Sequence, residues 1–223
     1  MNIFNYKVHT PGLFIVRPVA LILIVVYALH LGAIVYLLVE NRHKDKIIFE
    51  QENKINELEE KLKILDIIED YQIGFNQNEI RELAEVIYTE GKRFSIDPLL
   101  IISLIMTESS FKKGQRSYRG AEGLMQIKPS TAKDVAKKWG FEWHKGIDLW
   151  NPSLNVRVGS AYLFELILKF KSIRKAIIAY NLGETNLREF YFYKAKPPAR
   201  YYEKVVNNYK MLKNKYGCDI QKG

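Results

Sequence analysis

The sequence predicts a mostly α-helical protein carrying one membrane-spanning segment, and three observations support this. Residues 18–39 form an unbroken apolar run, and residues beyond Gly74 repeat apolar side chains at three- and four-residue spacing behind helix caps. No stretch alternates apolar and polar side chains over the length of a strand.

From Pro18 to Val39 there is no Asp, Glu, Lys or Arg. About 22 residues at 1.5 Å per residue span roughly 30 Å, the thickness of a bilayer's hydrocarbon layer. The segment reads as a transmembrane anchor behind a short tail, residues 1–17. A cleaved signal peptide is the alternative, but its apolar part usually runs about 7–15 residues and ends at small residues. Leu37-Leu38-Val39-Glu40-Asn41 offers no such site. An ionisable group at mid-span, here His30, is by default a functional candidate; a neutral histidine on a lone anchor is the simpler reading. Lys7 and Arg17 precede the span and Arg42, Lys44 and Lys46 follow it, a balance that alone leans towards a cytoplasmic C-terminal part.

A helical stalk is expected next, over residues 44–72. Ile48, Ile55, Leu58, Leu62 and Leu65 follow the 3-4 spacing of an a/d seam, with Glu and Lys between them. Gln51 interrupts the seam and Glu69 ends it, leaving fewer than three good heptads. Two readings stand side by side: a short coiled coil giving a weak dimer, or an amphipathic helix lying on its own domain.

The main domain is expected over residues 75–217, with a tail at 218–223. Its first helix shows an apolar face of Ile80, Leu83, Ala84, Ile87 and Tyr88 and ends near Arg93. Asp97 is a suitable N-cap and Pro98 a suitable first-turn residue for the second. Residues Leu99 to Met106 of that helix are apolar nearly all round, which marks a core helix. Further helices are predicted at 130–139, 153–170, 173–182 and 199–214, with breaks at Gly140, Pro152, Gly183 and Pro197-Pro198.

Composition narrows the function. The 223 residues allow one full-sized domain plus an appendage. A formal net charge of +9 favours anionic surroundings such as headgroups, nucleic acid or an acidic wall polymer. No nucleic-acid motif or basic helix with stacking aromatics is present, so nucleic acid is not expected as a partner. The single cysteine, Cys218, permits no intrachain disulfide. Histidines 9, 30, 43 and 144 are scattered without thiolate companions, so neither a metal nor a cofactor is expected.

One residue stands out chemically. Glu108 ends the apolar helix, where the C-terminal dipole and apolar neighbours both disfavour the carboxylate and raise its pKa. A carboxyl group kept protonated near neutrality can serve as a general acid. Taken alone, the same glutamate reads better as a helix-end cap or ion-pair partner.

The surrounding motifs decide between these readings. They are Glu108-Ser109-x-Phe111, Gly120-Ala121-x-Gly123-Leu124-Met125-Gln126-Ile127-x-Pro129-x-Thr131-Ala132 and Ala179-Tyr180-Asn181-x-Gly183. To these add Asn151-Pro152-x-x-Asn155-Val156-x-x-Gly159-x-x-Tyr162-Leu163 and Tyr201-x-x-x-Val205-x-x-x-Tyr209. In this order they resemble the soluble-lytic-type (SLT) catalytic domain of lytic transglycosylases, over roughly residues 77–216. The resemblance implies a lysozyme-like helical fold and an enzyme that cuts peptidoglycan glycan strands.

It also implies roles. Glu108 matches the single catalytic residue, which protonates the oxygen between N-acetylmuramic acid and N-acetylglucosamine and then takes a proton from the muramoyl 6-hydroxyl. That hydroxyl attacks the anomeric carbon and leaves a 1,6-anhydro end, so no second carboxylate is needed. Ser109, Met125, Gln126, Tyr180, Asn181 and Tyr201 match substrate-groove positions, with the Tyr180 hydroxyl near the acid. Tyr201 also approaches the acid, although adjacent Tyr202 offers a second register. For Met125 the residue type alone favours core packing.

The sequence departs from the pattern at Gly183-Glu184-Thr185-Asn186-Leu187, where a Gly-Pro-Gly-like run is usual, at Lys113 for proline and at Pro198 for threonine. Two rival functions remain open. A water-using muramidase needs a second carboxylate, for which Glu122 is the candidate; a noncatalytic glycan-binding protein would use the anchor and stalk to recruit an envelope assembly partner. Because peptidoglycan lies outside the cytoplasmic membrane, the resemblance places the domain on the periplasmic side of a single-pass inner-membrane anchor, against the flanking charges.

Overall fold

The structure, a computed structural model, describes residues 13–141 and 148–217, with side chains from Val19 onward. The first twelve residues of the expected tail, the tail at 218–223 with Cys218, and His144 lie outside the described residues. Eight helices follow in order: α1 Leu13–Tyr71, α2 Gln77–Phe94, α3 Pro98–Glu108, α4 Pro129–Trp139, α5 Pro152–Phe170, α6 Ile173–Leu182, α7 Glu184–Phe192 and α8 Arg200–Tyr216. Among the described residues β pairing is confined to isolated bridges.

The chain divides into two compact units, Met1–Asn56 and Glu57–Gly223. In the first, the apolar side chains from Val19 to Val39 are exposed on every side of α1, and the helix is long and apolar enough to cross a membrane. A helix apolar all round in this way suits lipid rather than water.

The second unit begins earlier than the expected domain start at residue 75, because the last turns of α1 enter its core. Ile64, Ile67 and Ile68 are buried, whereas Leu58 and Leu62 of the heptad seam stay exposed. The buried face is therefore offset from the a/d seam, and residues 64–68 follow the second stalk reading, an amphipathic helix lying on its own domain. Lys61 bonds Glu85 and Lys92 pairs with Glu60, tying this segment to α2.

Local signals explain the helix boundaries. Asn76 and Glu79 form a reciprocal capping box at α2, which contributes about 1 kcal/mol. Asp97 accepts from Leu99 N–H at 2.8 Å, and Pro98 occupies the first turn of α3. Asn151 caps α5 in the same manner. α3 lies at the centre, with Ile101, Ile102, Leu104 and Ile105 fully buried.

Helix α7 was not anticipated from the sequence, which read Gly183 as a break and predicted no helix between residues 182 and 199. Gly183 does turn the chain, at φ +92°, yet the backbone becomes helical again at once. Glu184 pairs with Arg188 one turn on at 2.9 Å, and Leu187 is buried. A single buried residue gives no readable periodicity, so the helix leaves little trace in the sequence.

Candidate active site

Glu108 is the last residue of α3, and α8 holds that helix end in place. Tyr201 donates its hydroxyl to Glu108 Oε1. One turn on, Lys204 Nζ reaches the Thr107 carbonyl at 3.2 Å, and Asn208 Nδ2 reaches Thr107 Oγ1 at 2.9 Å. At the far end of α3, Tyr209 donates to Asp97 at 2.6 Å. Residues 201, 204 and 208 recur at helical spacing, so one face of α8 stitches along α3 while Val205 and Leu212 bury beneath it. Lys204 also places a cation at the C-terminal, negative end of the α3 dipole.

After Glu108 the chain turns sharply. Ser110 and Phe111 both take positive φ, 53° and 56°, a conformation that costs about 1–3 kcal/mol per non-glycine residue and persists only where packing enforces it. Phe111 is completely buried, which supplies that packing.

The opposite wall is the loop 115–128. Asn155 of α5 fixes it: Oδ1 accepts from Met125 N–H at 2.7 Å, and Nδ2 donates to the Glu122 and Leu149 carbonyls at 2.8 and 3.1 Å. Two glycines permit this approach. A Cβ on Gly123, whose φ is +78°, would lie 2.1 Å from Asn155 Nδ2, and one on Gly159 would lie 2.5 Å from Met125 Sδ. The spacing Gly123…Asn155…Gly159 is thus a packing requirement.

Between these walls lies a groove of about 500 Å³. Glu108, Gln126, Tyr180 and Asn181 line it, so four of the seven expected site residues meet there. Tyr201 joins them through its bond to Glu108, which picks Tyr201 rather than Tyr202 as the tyrosine at the acid. The other two residues do not line the groove. Ser109 turns its hydroxyl back to the Ile105 carbonyl at 3.1 Å, and the Met125 side chain is fully buried in the core against Gly159.

The two tyrosines differ in what they hold. Tyr180, buried on α6, donates to the Met125 carbonyl at 2.9 Å and so braces the loop rather than bonding the acid. Its ring lies 5.2 Å from that of Tyr162, which also lines the groove. Gln126, at φ 48°, spends its amide donors on the Gly123 and Gln115 carbonyls at 2.8 and 3.2 Å. Its amide oxygen has no partner among the described residues. Asn181 is exposed and free on the groove wall.

Desolvation by the surrounding protein raises the pKa of Glu108 and outweighs the Tyr201 bond and the Lys204 charge, both of which act to lower it. Burial likewise pushes Tyr180 and Tyr201 well above the ordinary phenol range, reinforced by the neighbouring Glu108, and Tyr162 up to about 12. The phenols therefore stay protonated donors at any physiological pH. Among the described residues lining the groove, Glu108 is the only carboxylic acid. Glu122 is not on its wall and faces Arg116 at 3.5 Å.

Sequence reasoning missed Ser117, Tyr118, Arg119, Lys128, Tyr162 and Asn186, which also line the groove. Arg119 and Lys128 immediately flank the Gly120 to Ile127 block, and that adjacency was the available signal. A larger cavity of about 610 Å³ lies elsewhere, between the end of α1, the start of α3 and the end of α8. Two of its polar pairs bond each other, Lys92–Glu60 and Tyr209–Asp97, and Glu108 does not line it.

Comparison with known proteins agrees with this geometry. The membrane-bound lytic murein transglycosylase E of Buchnera aphidicola subsp. Acyrthosiphon pisum is 34% identical over 120 residues, covering 50% of this chain and 54% of that protein. The endo-type membrane-bound lytic murein transglycosylase A of Klebsiella pneumoniae subsp. pneumoniae is 40% identical over 75 residues, covering 33% of this chain and 37% of that one. The chain thus matches about half the length of the first relative and less of the second. The solved structure of a 70-kDa soluble lytic transglycosylase complexed with bulgecin A superposes with a TM-score of 0.53 at 22% identity, over 60% of this chain and 24% of that chain. This likeness shows the fold, a lysozyme-like helical domain. With the transglycosylase SLT domain model matching residues 85–202, more than half of its length, this chain belongs to the transglycosylase SLT domain family.

Proposed function

We propose that the chain is a membrane-anchored lytic transglycosylase that cleaves peptidoglycan glycan strands between N-acetylmuramic acid and N-acetylglucosamine without using water. The observation that carries this reading is a groove lined, among the described residues, by one carboxyl group only, whose pKa desolvation raises. Hydrolysis by the usual two-carboxylate routes needs a second acid across the groove, and none lines it among the described residues.

Glu108 acts first as the acid. Its Oε1 accepts from Tyr201, which leaves the other oxygen to carry the proton given to the glycosidic oxygen. The carboxylate that results is stabilised by the same Tyr201 hydroxyl and by Lys204, the two groups that lower its pKa. It then takes the proton of the muramoyl 6-hydroxyl as that oxygen bonds to the anomeric carbon. The leaving sugar departs with the first proton, the strand ends as a 1,6-anhydro ring, and Glu108 is protonated again. Desolvation supplies the acid and the α8 contacts moderate the base, so one residue serves both steps.

Anchoring rests on the apolar stretch of α1 and on the membrane-bound relatives. The domain then faces the periplasmic side of the cytoplasmic membrane, where its substrate lies. The test is mass spectrometry of sacculi digested by the full chain in detergent. Anhydro ends from the wild type and none from Glu108→Gln are expected. Hydrated reducing ends would assign a muramidase, and binding with no cleavage by the wild type would assign a noncatalytic glycan-binding protein.

A further inference from the structure

Two groove-lining residues take no part in the chemistry above. Arg119 and Lys128 are exposed on the groove wall, and their side chains have no hydrogen-bond or ion-pair partner among the described residues. Cations nearby are engaged: Arg116 with Glu122, Lys169 and Arg188 with Glu184, and Lys113 with Glu79. Among the described residues the groove therefore presents two unpaired positive charges and one carboxyl group, Glu108.

Both cations sit on constrained backbone. Arg119 belongs to a tight turn closed by Gly120 N–H to the Ser117 carbonyl at 3.0 Å, Ser117 N–H to the Ala121 carbonyl at 2.8 Å, and Ala121 N–H to Ser117 Oγ at 2.9 Å. Lys128 directly precedes Pro129, which starts α4. At Glu108 itself the cation whose charge lowers the pKa is Lys204. Their charges are thus placed to meet a substituent of the sugar rather than the scissile bond.

We propose that Arg119 and Lys128 form an anion subsite that takes a carboxylate carried on the muramoyl 3-oxygen. This rests on the peptidoglycan reading and adds to it. The muramoyl ring bears a lactyl group that is itself a carboxylate in stem-free strands; in intact wall it is amide-linked to a stem peptide with carboxylates of its own. Either source offers a planar anion to a guanidinium fork and to an ammonium on the same groove, the pairing those groups make best. Such a contact anchors the strand and fixes which sugar lies over Glu108.

The test measures equilibrium binding of glycan strands to the full chain in detergent, carried out in parallel with release of anhydro ends. Three probes are used: stem-bearing strands, amidase-treated stem-free strands, and strands whose carboxylates have been converted to amides. Arg119→Gln with Lys128→Gln is expected to weaken binding of charged strands roughly tenfold, the scale of two charge-assisted contacts. The loss should appear in KM rather than kcat, vanish on amidated strands, and be largely restored by Arg119→Lys with Lys128→Arg. Loss on stem-free strands identifies the lactyl carboxylate as the ligand; loss confined to stem-bearing strands identifies the stem. Unchanged binding of both charged probes by the double glutamine variant would overturn the subsite. If Glu108-dependent anhydro ends still form, the proposed function survives that failure; if the wild type neither binds nor cleaves any strand, both are overturned.

Discussion

Two glutamates with raised pKa values occupy very different parts of the domain. Glu90, on α2, is 1% exposed and sits between Arg157 at 3.4 Å and Arg93 at 3.7 Å. Glu108, half-buried at the end of α3, has a single hydroxyl partner and opens on the groove. Burial is the leading cause of the upward shift in both. A raised carboxyl therefore does not by itself identify an acid catalyst. What separates the two is access: Glu90 is buried against arginines, whereas Glu108 lines a groove with room for a sugar.

The two should behave alike in stability and differently in activity. In each case the folded state holds its proton more tightly than the unfolded chain. Each contribution is therefore fully present below the ordinary carboxylate range and is lost as pH rises through the raised folded value. Removing the charge at either site, by Glu90→Gln or Glu108→Gln, should flatten this loss, as thermal unfolding followed from pH 4 to 8 would show. Only Glu108→Gln should also abolish anhydro-end release, by about 10³-fold. A comparable loss of activity in Glu90→Gln would break the comparison.

Next in size is a structural effect on the groove wall. Asn155→Ala leaves the Met125 N–H and the Glu122 and Leu149 carbonyls without their partner. A loss of about 3 kcal/mol in urea unfolding is expected, since each buried unsatisfied group costs about 1–3 kcal/mol. Tyr201→Phe acts on the acid directly. The Tyr201 bond lowers the Glu108 pKa, so its removal should move the alkaline limb of the pH–rate profile to higher pH and reduce kcat roughly tenfold as the carboxylate loses its donor. A limb moved to lower pH would contradict the assigned direction. The smallest effect belongs to Glu90→Gln, whose kcat should stay within about twofold of wild type, as for a group remote from the reacting atoms.

The sequence revealed different parts of the molecule to different degrees. Core helices were readable because their signals are local: Asp97 and Pro98 start α3, Gly140 ends α4 at φ 68°, and the apolar face of α2 is the one buried. Residues 184–192 were not, because only Leu187 of α7 is buried. The stalk seam was read from spacing, yet the domain takes hold of α1 through Ile64, Ile67 and Ile68, a choice made by tertiary contacts and not by heptads. At the site, motif order brought out Glu108, Gln126, Tyr180 and Asn181. It also pointed to Tyr201, 93 residues from Glu108, but could not choose it over Tyr202 at the acid, nor show that Tyr180 braces the Met125 carbonyl instead. Such long-range pairings, like the unpaired Arg119 and Lys128, exist only once α3, α6, α8 and the 115–128 loop are assembled.

The central claim is that Glu108 works alone and that the substrate, not water, supplies the nucleophile. Digestion of sacculi by the full chain in ¹⁸O-labelled water tests it most directly. The account predicts muramoyl ends that carry no label and weigh one water less than a hydrolysed end. One ¹⁸O atom on each new reducing end would show that water attacks the anomeric carbon, and would contradict it.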